Sequence, residues 1–495
     1  MQALRGKRGA QYVKQFAGCH HRPESALIIA WEINKRLRVL ASATVFIVSV
    51  AAPLFAQRAE LERAIQRRIM PNGLEVIVVE NHGVPLVTVE VTVRNGSFTQ
   101  SPEYAGLAHL NEHMFFKAND AYPEPDAYIQ RASELGAVFN ATTKEEQVNY
   151  FLTLRSDSLE AGMQFLVAGF LAPHFRQDEL ERERQVVIGE YDRNESQPGF
   201  KLEEAMGKKL WTTEWSRKNV IGDRQVIATT TPEKMRYIRN LYYVPNNSVL
   251  IVSGDVNPAA AFAMATKVFG VWKRGDDPFA KVPIPAIVPL TKNDAVIVEE
   301  NVNAVTVLIQ WQGPSVRKDE ASTFVADVYS DVLNNPQSRF QRRLVDSGLW
   351  QGVIVNYYTL NNVGPITISG QTSPGKLREA ITALFSELNE TVKPGYISQD
   401  ELAATKASRA VTTEFGLERS SESSHTIGFW WSVSGLEYYM KYNDEMAKRT
   451  VANLNSYANK YIIGKPHIVG LMMTAEDRQR LKLTDVELTA MGTKQ

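Results

Sequence analysis

The sequence has very little cysteine and no excess charge of either sign. Its single cysteine, Cys19, lies near the start, so disulfides and cysteine-based zinc sites are excluded from the rest of the 495 residues. Lys plus Arg and Asp plus Glu both number 55, which gives a net charge of zero. This balance leaves no global field for nucleic acid, and no basic aromatic stretch supplies a local one. We therefore expect no nucleic-acid partner, and any metal must be held by histidines and carboxylates.

The N-terminal region differs in composition from the rest of the chain. A basic segment over 35–38 precedes an uncharged run over 39–56 that ends in small residues. This layout is typical of a secretory signal peptide, so we expect a leader over 1–56 and an exported, periplasmic chain beginning at Gln57. A retained membrane anchor is the alternative, because the run approaches the ~18–20 residues that span a bilayer. A mitochondrial presequence is less favoured, since such presequences are amphipathic.

Beyond this leader, one pattern of strands and helices occurs twice, about 220 residues apart. A period of that length indicates duplicated domains rather than a solenoid. Strands and helices are mixed without strict alternation, which favours an α+β fold of two homologous domains. In each domain we expect a mainly antiparallel sheet with helices packed on one face. The paired runs are 74–80 with 295–300, 87–97 with 304–315, and 242–254 with 461–473.

A segment rich in proline and poor in periodicity separates the two copies. It predicts a linker over 274–294. The N-terminal domain is then expected over 57–273 and the C-terminal domain over 295–495. Only the first of them carries the metal motif described next.

The run from Gly106 to Phe116 predicts a helix with histidines one turn apart. His109 and His113 are at i and i+4, so both imidazoles can reach one ion. Glu112 shares that face and is placed to take a proton from a water activated by the metal. The order His-x-x-Glu-His inverts the commoner His-Glu-x-x-His. The alternative is a helix that carries two histidines by chance.

A second predicted helix, over 178–192, carries two carboxylates on one side. Glu183 and Glu190 are seven residues apart, almost two full turns. One of them could bind zinc while the other accepts the second N–H of a histidine. A charged, solvated helix face is the alternative.

These motifs together resemble a known family. His109 to His113, followed by Glu183-Arg-x-Val-Val-x-x-Glu190, is similar to the pitrilysin and insulinase type of inverted zinc metallopeptidase, the inverzincins. The likeness is closest to the two-domain bacterial members and the mitochondrial processing peptidases. It extends to Pro71-Asn-Gly-Leu-x-Val and to Asn140-Ala-Thr-Thr143, and so covers nearly all of the chain after the leader.

The resemblance implies a role for each residue of the motif. His109, His113 and Glu190 would bind one Zn²⁺ per chain, Glu112 would be the general base, and Glu183 would orient a ligand. The family fold is a pair of duplicated α+β domains that form half of a clam shell. The implied activity is a zinc metalloendopeptidase that hydrolyses peptides or unfolded segments. A non-catalytic scaffold subunit of the same fold is the alternative.

Asn140 and Ala141 follow a probable edge strand. A peptide substrate could add to that edge through main-chain hydrogen bonds, and the family likeness favours this substrate-binding role. An ordinary strand end, with Asn140 serving a turn, is the alternative.

One pair of family residues is missing. Single-chain and homo-oligomeric relatives carry an Arg and, seven residues on, a Tyr in their second domain. The matching segment, Phe340 to Gln351, has Leu344 and Gln351 at those positions. The resemblance therefore implies a hetero-oligomer in which a related subunit supplies the Arg and the Tyr. A homodimer that uses Tyr357 or Tyr358 is the alternative.

Overall fold

The computed structural model describes residues 63–124, 126–415 and 419–492. In this part of the chain the first half forms a six-stranded sheet. Its strands are β1 Ile65–Ile69, β2 Glu75–Glu80, β3 Leu86–Val93, β4 Val138–Thr143, β5 Val148–Arg155 and β6 Ser248–Gly254. Their order across the sheet is β1-β2-β6-β3-β5-β4. The predicted leader over 1–56 lies outside the described residues.

The second half repeats this sheet without the first strand. Its strands are β7 Asp294–Glu299, β8 Val305–Gln312, β9 Gly352–Tyr357, β10 Pro365–Thr372 and β11 Ile468–Met473. The order β7-β11-β8-β10-β9 matches β2-β6-β3-β5-β4 strand for strand. In each sheet one pair is parallel, β2 with β6 and β7 with β11, and the other pairs are antiparallel. The predicted duplication of a mainly antiparallel α+β layer is confirmed.

Helices fill the connections between the strands. In the first half they are α1 Leu107–Phe115, α2 Ala127–Glu134, α3 Leu159–Leu171, α4 Gln177–Glu195, α5 Pro198–Trp211, α6 Arg224–Thr229, α7 Pro232–Tyr242, α8 Pro258–Phe269 and α9 Pro278–Lys281. In the second half they are α10 Val316–Asn334, α11 Arg339–Gln341, α12 Leu377–Glu390, α13 Gln399–Phe415, α14 Ser420–Val433, α15 Leu436–Lys448, α16 Val451–Tyr461, α17 Ala475–Leu481 and α18 Asp485–Ala490, with a π-helical turn over Arg342–Asp346. None of the helices described is long and apolar enough to cross a membrane.

The first sheet is buried on both faces, and the reason is visible in β2. Val76 and Val78 face the main core with α3 and α8, while Ile77 and Val79 face the opposite side. A strand that is apolar at consecutive positions needs cover on both faces of its sheet. The first sheet is therefore covered by helices on both faces, whereas the sequence predicted helices on one face only.

That second layer is exchanged between the two halves. Helix α14, from the second half, covers the outer face of the first sheet with Ile427 and Trp431. Helix α5, from the first half, covers the second sheet with Leu202 and Met206. Each helix packs its apolar residues against the sheet of the other half. This burial of apolar surface stabilises the two halves against separation.

Candidate metal centre

Helix α1 has one apolar face and one polar face. Leu107, Leu110 and Met114 are buried in the core of the first domain. The positions between them place His109 and His113 on the opposite face, with only 15% and 16% of their side chains exposed. The helical period of 3.6 residues produces this division, so the packing of the leucines determines where the imidazoles point.

On helix α4, two carboxylates lie on the same face as the buried apolar residues. Leu180, Glu183, Val187 and Glu190 follow one another at spacings of three and four, which places them on one face. Leu180 and Val187 are fully buried in the core that α1 also joins. Their packing brings both carboxylates up to the histidines of α1.

The three predicted ligands converge. The Nε2 atoms of His109 and His113 are 3.4 Å apart, and each lies 3.6 Å from Oε2 of Glu190. A tetrahedral zinc ion with bonds of about 2.0–2.1 Å holds its ligand atoms about 3.3–3.4 Å apart. The triangle fits such an ion with a movement of a few tenths of an ångström. Among the described residues, this is the one group of three or more His, Cys, Asp or Glu side chains that could hold a metal.

The pKa values of the two imidazoles shift in opposite directions. Burial, together with the charge of His113, lowers the pKa of His109 to about 4, so His109 is neutral at pH 7. Burial also acts to lower the pKa of His113, but the hydrogen bond with Glu183 and the charges of Glu190 and Glu112 outweigh it and raise that pKa. Neutral imidazole is the form that binds zinc. A bound cation would therefore balance the negative charge of the carboxylates around His113.

Glu183 lies behind His113, where the sequence predicted an orienting carboxylate. Its Oε2 is 3.4 Å from Nδ1 of His113, and its Oε1 is 2.7 Å from Nζ of Lys117. Burial acts to raise the pKa of Glu183, but the hydrogen bonds from His113 and Lys117 outweigh it and lower that pKa. An ionised Glu183 that accepts from Nδ1 leaves Nε2 of His113 free to bind a metal. Sequence reasoning missed Lys117, since its pairing depends on the packing of α4.

Glu112 is held by a residue from the edge strand. Thr143 Oγ1 donates to Oε2 of Glu112 at 2.6 Å. Burial raises the pKa of Glu112, while the Thr143 hydrogen bond and the charge of His113 offset part of this increase. Thr143 belongs to the Asn-Ala-Thr-Thr motif, but the sequence alone indicates no role for it. Its contact with α1 is a long-range contact that spacing does not reveal.

The strand that carries Asn140 and Ala141 is an edge strand. Strand β4 pairs with β5 and ends the sheet, and Val138 at its start is 73% exposed. The Ala141 N–H donates to Oδ1 of Asn140 at 2.9 Å instead of joining the ladder. It is therefore a main-chain donor directed away from β5. The substrate-binding roles of Asn140 and Ala141 stay predictions.

The second copy holds an ion pair in the corresponding helices. Helix α10 follows β8 as α1 follows β3, and it carries Asp327 and Asp331 at i and i+4. From α13, Arg409 donates to Asp331 through Nε at 2.5 Å and Nη2 at 2.6 Å. The Tyr442 hydroxyl donates to Asp327 at 2.5 Å. A guanidinium group thus supplies the positive charge in this copy, which agrees with its lack of a His-x-x-Glu-His motif.

Asp327, which lies beside this ion pair, leads to a pH-dependent prediction. Burial raises the pKa of Asp327 to about 6, against the charge of Arg409 and the Tyr442 hydrogen bond. The folded state therefore holds a proton that the unfolded state releases near pH 4, and stability falls as the pH rises through 4 to 6. Asp327→Asn should raise the free energy of unfolding at pH 8 by about 1–2 kcal/mol, a value reduced for partial exposure. Urea unfolding at pH 4 and pH 8 measures the difference.

A control variant separates this effect from general repacking. Asp331→Asn removes the partner of Arg409 and should lower stability at pH 8. A gain for Asp327→Asn that is equal at pH 4 and pH 8 would contradict the assigned pKa.

Near the segment that lacks the family Arg and Tyr, the arginine and tyrosine side chains closest to those positions make other contacts. Leu344 is fully buried in the second core. Arg343 pairs with Glu387 at 2.8 Å. The Tyr357 hydroxyl is buried and donates to the Pro314 carbonyl oxygen at 3.1 Å. Tyr358 stacks on Phe429.

Comparisons with known protein families agree with this fold. Residues 75–224 match the domain described as Insulinase (Peptidase family M16), and residues 229–409 match the Peptidase M16 inactive domain. Together the two matches cover about two thirds of the chain. The chain belongs to the insulinase family of peptidases, family M16.

Relatives and solved structures extend along most of the chain. Zinc protease PqqE of Helicobacter pylori is 24% identical over 434 residues, which is 86% of this chain and 96% of that protein. An uncharacterized zinc protease of Bacillus subtilis, YmxG, is 22% identical over 72% of this chain and 85% of its own length. The crystal structure of a protease from Helicobacter pylori has the same fold, with a TM-score of 0.74 at 22% identity, and covers 82% of this chain and 99% of that one.

Glu190→Gln tests the third ligand directly. An amide oxygen carries no charge, so this variant should hold markedly less zinc than the parent chain. Zinc content per chain, measured by elemental analysis after dialysis, checks the prediction. Glu181→Gln is the matched control, since Glu181 lies on the same helix with 56% of its side chain exposed. A Glu190→Gln chain that retains zinc as tightly as the parent would remove Glu190 from the ligand set.

Proposed function

We propose that this chain is a zinc metalloendopeptidase whose metal is held by His109, His113 and Glu190. The observation that carries the proposal is the triangle of ligand atoms with sides of 3.4 and 3.6 Å. The names of the zinc-protease relatives support the same metal and the same class of reaction. A zinc ion bound there would supply Lewis-acid polarisation of the scissile carbonyl and lower the pKa of water.

Glu112 is proposed as the general base. The Thr143 hydroxyl holds its Oε2, and the carboxylate would accept a proton of the attacking water. Glu112 then delivers that proton to the leaving amine as the peptide bond breaks. The burial that raises the pKa of Glu112 suits both steps, because a carboxylate that accepts and returns a proton works best with a pKa closer to neutral.

Strand β4 is proposed to bind the substrate. A peptide in extended conformation would pair with its free edge beside Asn140 and Ala141, through main-chain hydrogen bonds that ignore most side chains. Because Thr143 of the same strand contacts Glu112, a peptide paired with β4 would run past the proposed base. We infer that peptides and unfolded segments are the substrates, since only these offer a free main chain.

We further propose that the chain acts in a hetero-oligomer. A buried Leu344 and an exposed Gln351 occupy the positions of the family Arg and Tyr. A related subunit would supply both groups to the substrate carbonyl. The Tyr357 hydroxyl already donates to the Pro314 carbonyl oxygen, which disfavours the homodimer alternative in which Tyr357 takes the role of the family Tyr.

The alternative of a non-catalytic scaffold subunit has one observation in its favour. Residues 229–409 match a domain described as inactive. That match lies in the half without the His-x-x-Glu-His motif, and the ligands and the base lie outside it. The converging ligands therefore favour catalysis.

Export to the periplasm is proposed from the signal-like run over 39–56. The periplasmic protease PqqL of Escherichia coli shares the fold with a TM-score of 0.70, although this chain covers only 50% of that protein. N-terminal sequencing of the exported protein should find Gln57 at or near the start. A mature chain that retains 39–56 would make it a membrane-anchored enzyme.

One experiment tests the proposed activity as a whole. The purified mature chain is analysed for bound metal and assayed with a quenched fluorescent peptide, alone and with the related subunit. Near-stoichiometric zinc together with hydrolysis that a chelator abolishes is the expected result. A zinc-loaded chain that cleaves no peptide under either condition would favour the scaffold alternative.

A further inference from the structure

The turn between β4 and β5 approaches the second half of the chain with consecutive side chains. Lys144 places its ammonium group 5.2 Å from the centre of the Phe429 ring. Burial raises the pKa of Tyr358 and the charge of Glu145 adds to the increase, so these two side chains lie close together. Thr143, which donates to the proposed base, directly precedes this turn.

Glu146, the third residue of the turn, is joined to the loop between β9 and β10. Only 2% of this residue is exposed. Its Oε2 accepts from the Asn361 backbone N–H at 2.6 Å. Its Oε1 accepts from the backbone N–H and from the side-chain amide of Asn362, both at 2.9 Å. Three hydrogen bonds from two neighbouring residues therefore connect this carboxylate to the half that lacks the metal motif.

A buried lysine of the first half extends this contact. Lys218 donates to the Val363 carbonyl oxygen, in the same loop, at 2.6 Å. Burial raises the pKa of Glu146, and the charge of Lys218 and the N–H groups of the loop offset part of this increase. The carboxylate and the ammonium group thus both contact one short segment of the second half.

The backbone of the turn is fixed to the first half. The carbonyl oxygens of Lys144 and Glu145 accept from the N–H groups of Ser97 at 3.3 Å and Phe98 at 2.9 Å. The turn therefore lies between the two halves, and both contribute to its position. Strand β4, which leads into it, has β5 as its one neighbour in the sheet. A strand held by a single ladder of hydrogen bonds depends on the contacts at its ends for its position.

We propose that Glu146 is a positioning residue, through which the second half of the chain determines where Thr143 holds Glu112. The half without the metal motif then contributes to hydrolysis by fixing the end of β4. This inference rests on the proposed peptidase function. Hydrolysis is sensitive to such positioning, because a displacement of about 1 Å in a reacting group can lower the rate about 100-fold.

Glu146→Gln tests the connection in the zinc-loaded full chain. The glutamine amide puts a donor where one carboxylate oxygen accepted, so at least one hydrogen bond between the halves is lost. We expect kcat for a quenched peptide to fall about 10-fold, while zinc content stays at the parent value. Hydrogen–deuterium exchange of the β4 amides should become faster, because the strand loses a contact at its end.

Asn362→Ala makes the same test from the second half. It removes one of the three donors to Glu146 and leaves the turn itself intact. Both effects should recur at a smaller size. Because Asn362 is only half-buried in its loop, this variant decides the question even where Glu146→Gln does not fold.

A double-mutant cycle with Thr143→Val separates positioning from a general loss of stability. If Glu146 acts through Thr143, Glu146→Gln should lower kcat by less than about two-fold in the Thr143→Val background. Glu90→Gln is the matched control, since Glu90 is fully buried and accepts from Ser424 of the second half at 2.9 Å. This control should leave kcat and the exchange of β4 at parent values.

Three results would overturn the inference. The first is a parent value of either kcat or β4 exchange in Glu146→Gln. The second is a pair of losses that multiply in the double variant with Thr143→Val. The third is an equal loss of kcat in Glu90→Gln. A zinc-loaded parent chain that cleaves no peptide would instead overturn the proposed function, and the exchange of β4 would still decide whether Glu146 fixes the strand.

Discussion

Glu112→Gln is expected to lower peptide hydrolysis by about 10²–10⁴-fold while zinc content stays near one ion per chain. The substitution removes the group that accepts the proton and leaves the triangle of His109, His113 and Glu190 intact. Glutamine can still accept the Thr143 hydrogen bond through its amide oxygen, so the packing around α1 should be conserved. Steady-state kinetics with a quenched peptide, paired with elemental analysis of the same sample, measures both quantities.

Glu112→Gln distinguishes a base from a ligand because hydrolysis and zinc content are measured on the same sample. A loss of zinc together with activity would mean that Glu112 acts as a ligand or supports one. Activity retained within a few-fold of the parent would refute its role as the base. Glu181→Gln, on an exposed position of α4, should change neither quantity.

The isolated chain is expected to hydrolyse peptides about 10²–10³-fold more slowly than the chain mixed with its related subunit. A preorganised donor at the developing oxyanion contributes about that much to the rate, and Leu344 and Gln351 supply none from the expected positions. Titration of the related subunit into a fixed amount of zinc-loaded chain should raise kcat to a plateau at a defined ratio.

The control for this titration is the same subunit with its Arg and Tyr replaced by Leu and Gln. It should bind the chain without restoring the rate. A repair within the chain itself is not available at position 344, because Leu344 is fully buried and Leu344→Arg would place a charge in the second core. Full activity of the isolated chain, with no further gain from a partner, would rule out this division of labour.

The sequence alone predicted what depends on short spacings and on repetition. The i, i+4 step between His109 and His113 is a property of any helix, and so is the seven-residue step between Glu183 and Glu190. The β-branched runs and their recurrence about 220 residues later predicted two similar sheets, and the strand orders confirm the duplication. Local periodicity determines such features before any long-range contact forms.

The tertiary structure decided what depends on contacts between distant segments. The exchange of α5 and α14 follows from apolar residues on both faces of a sheet, and spacing does not say which helix covers them. The contact of Thr143 with Glu112 spans 31 residues and requires β4 to pass beside α1. The ion pair between Arg409 and Asp331 spans 78 residues. Such contacts form only in the folded chain, because long-range burial of apolar surface is what brings distant residues together.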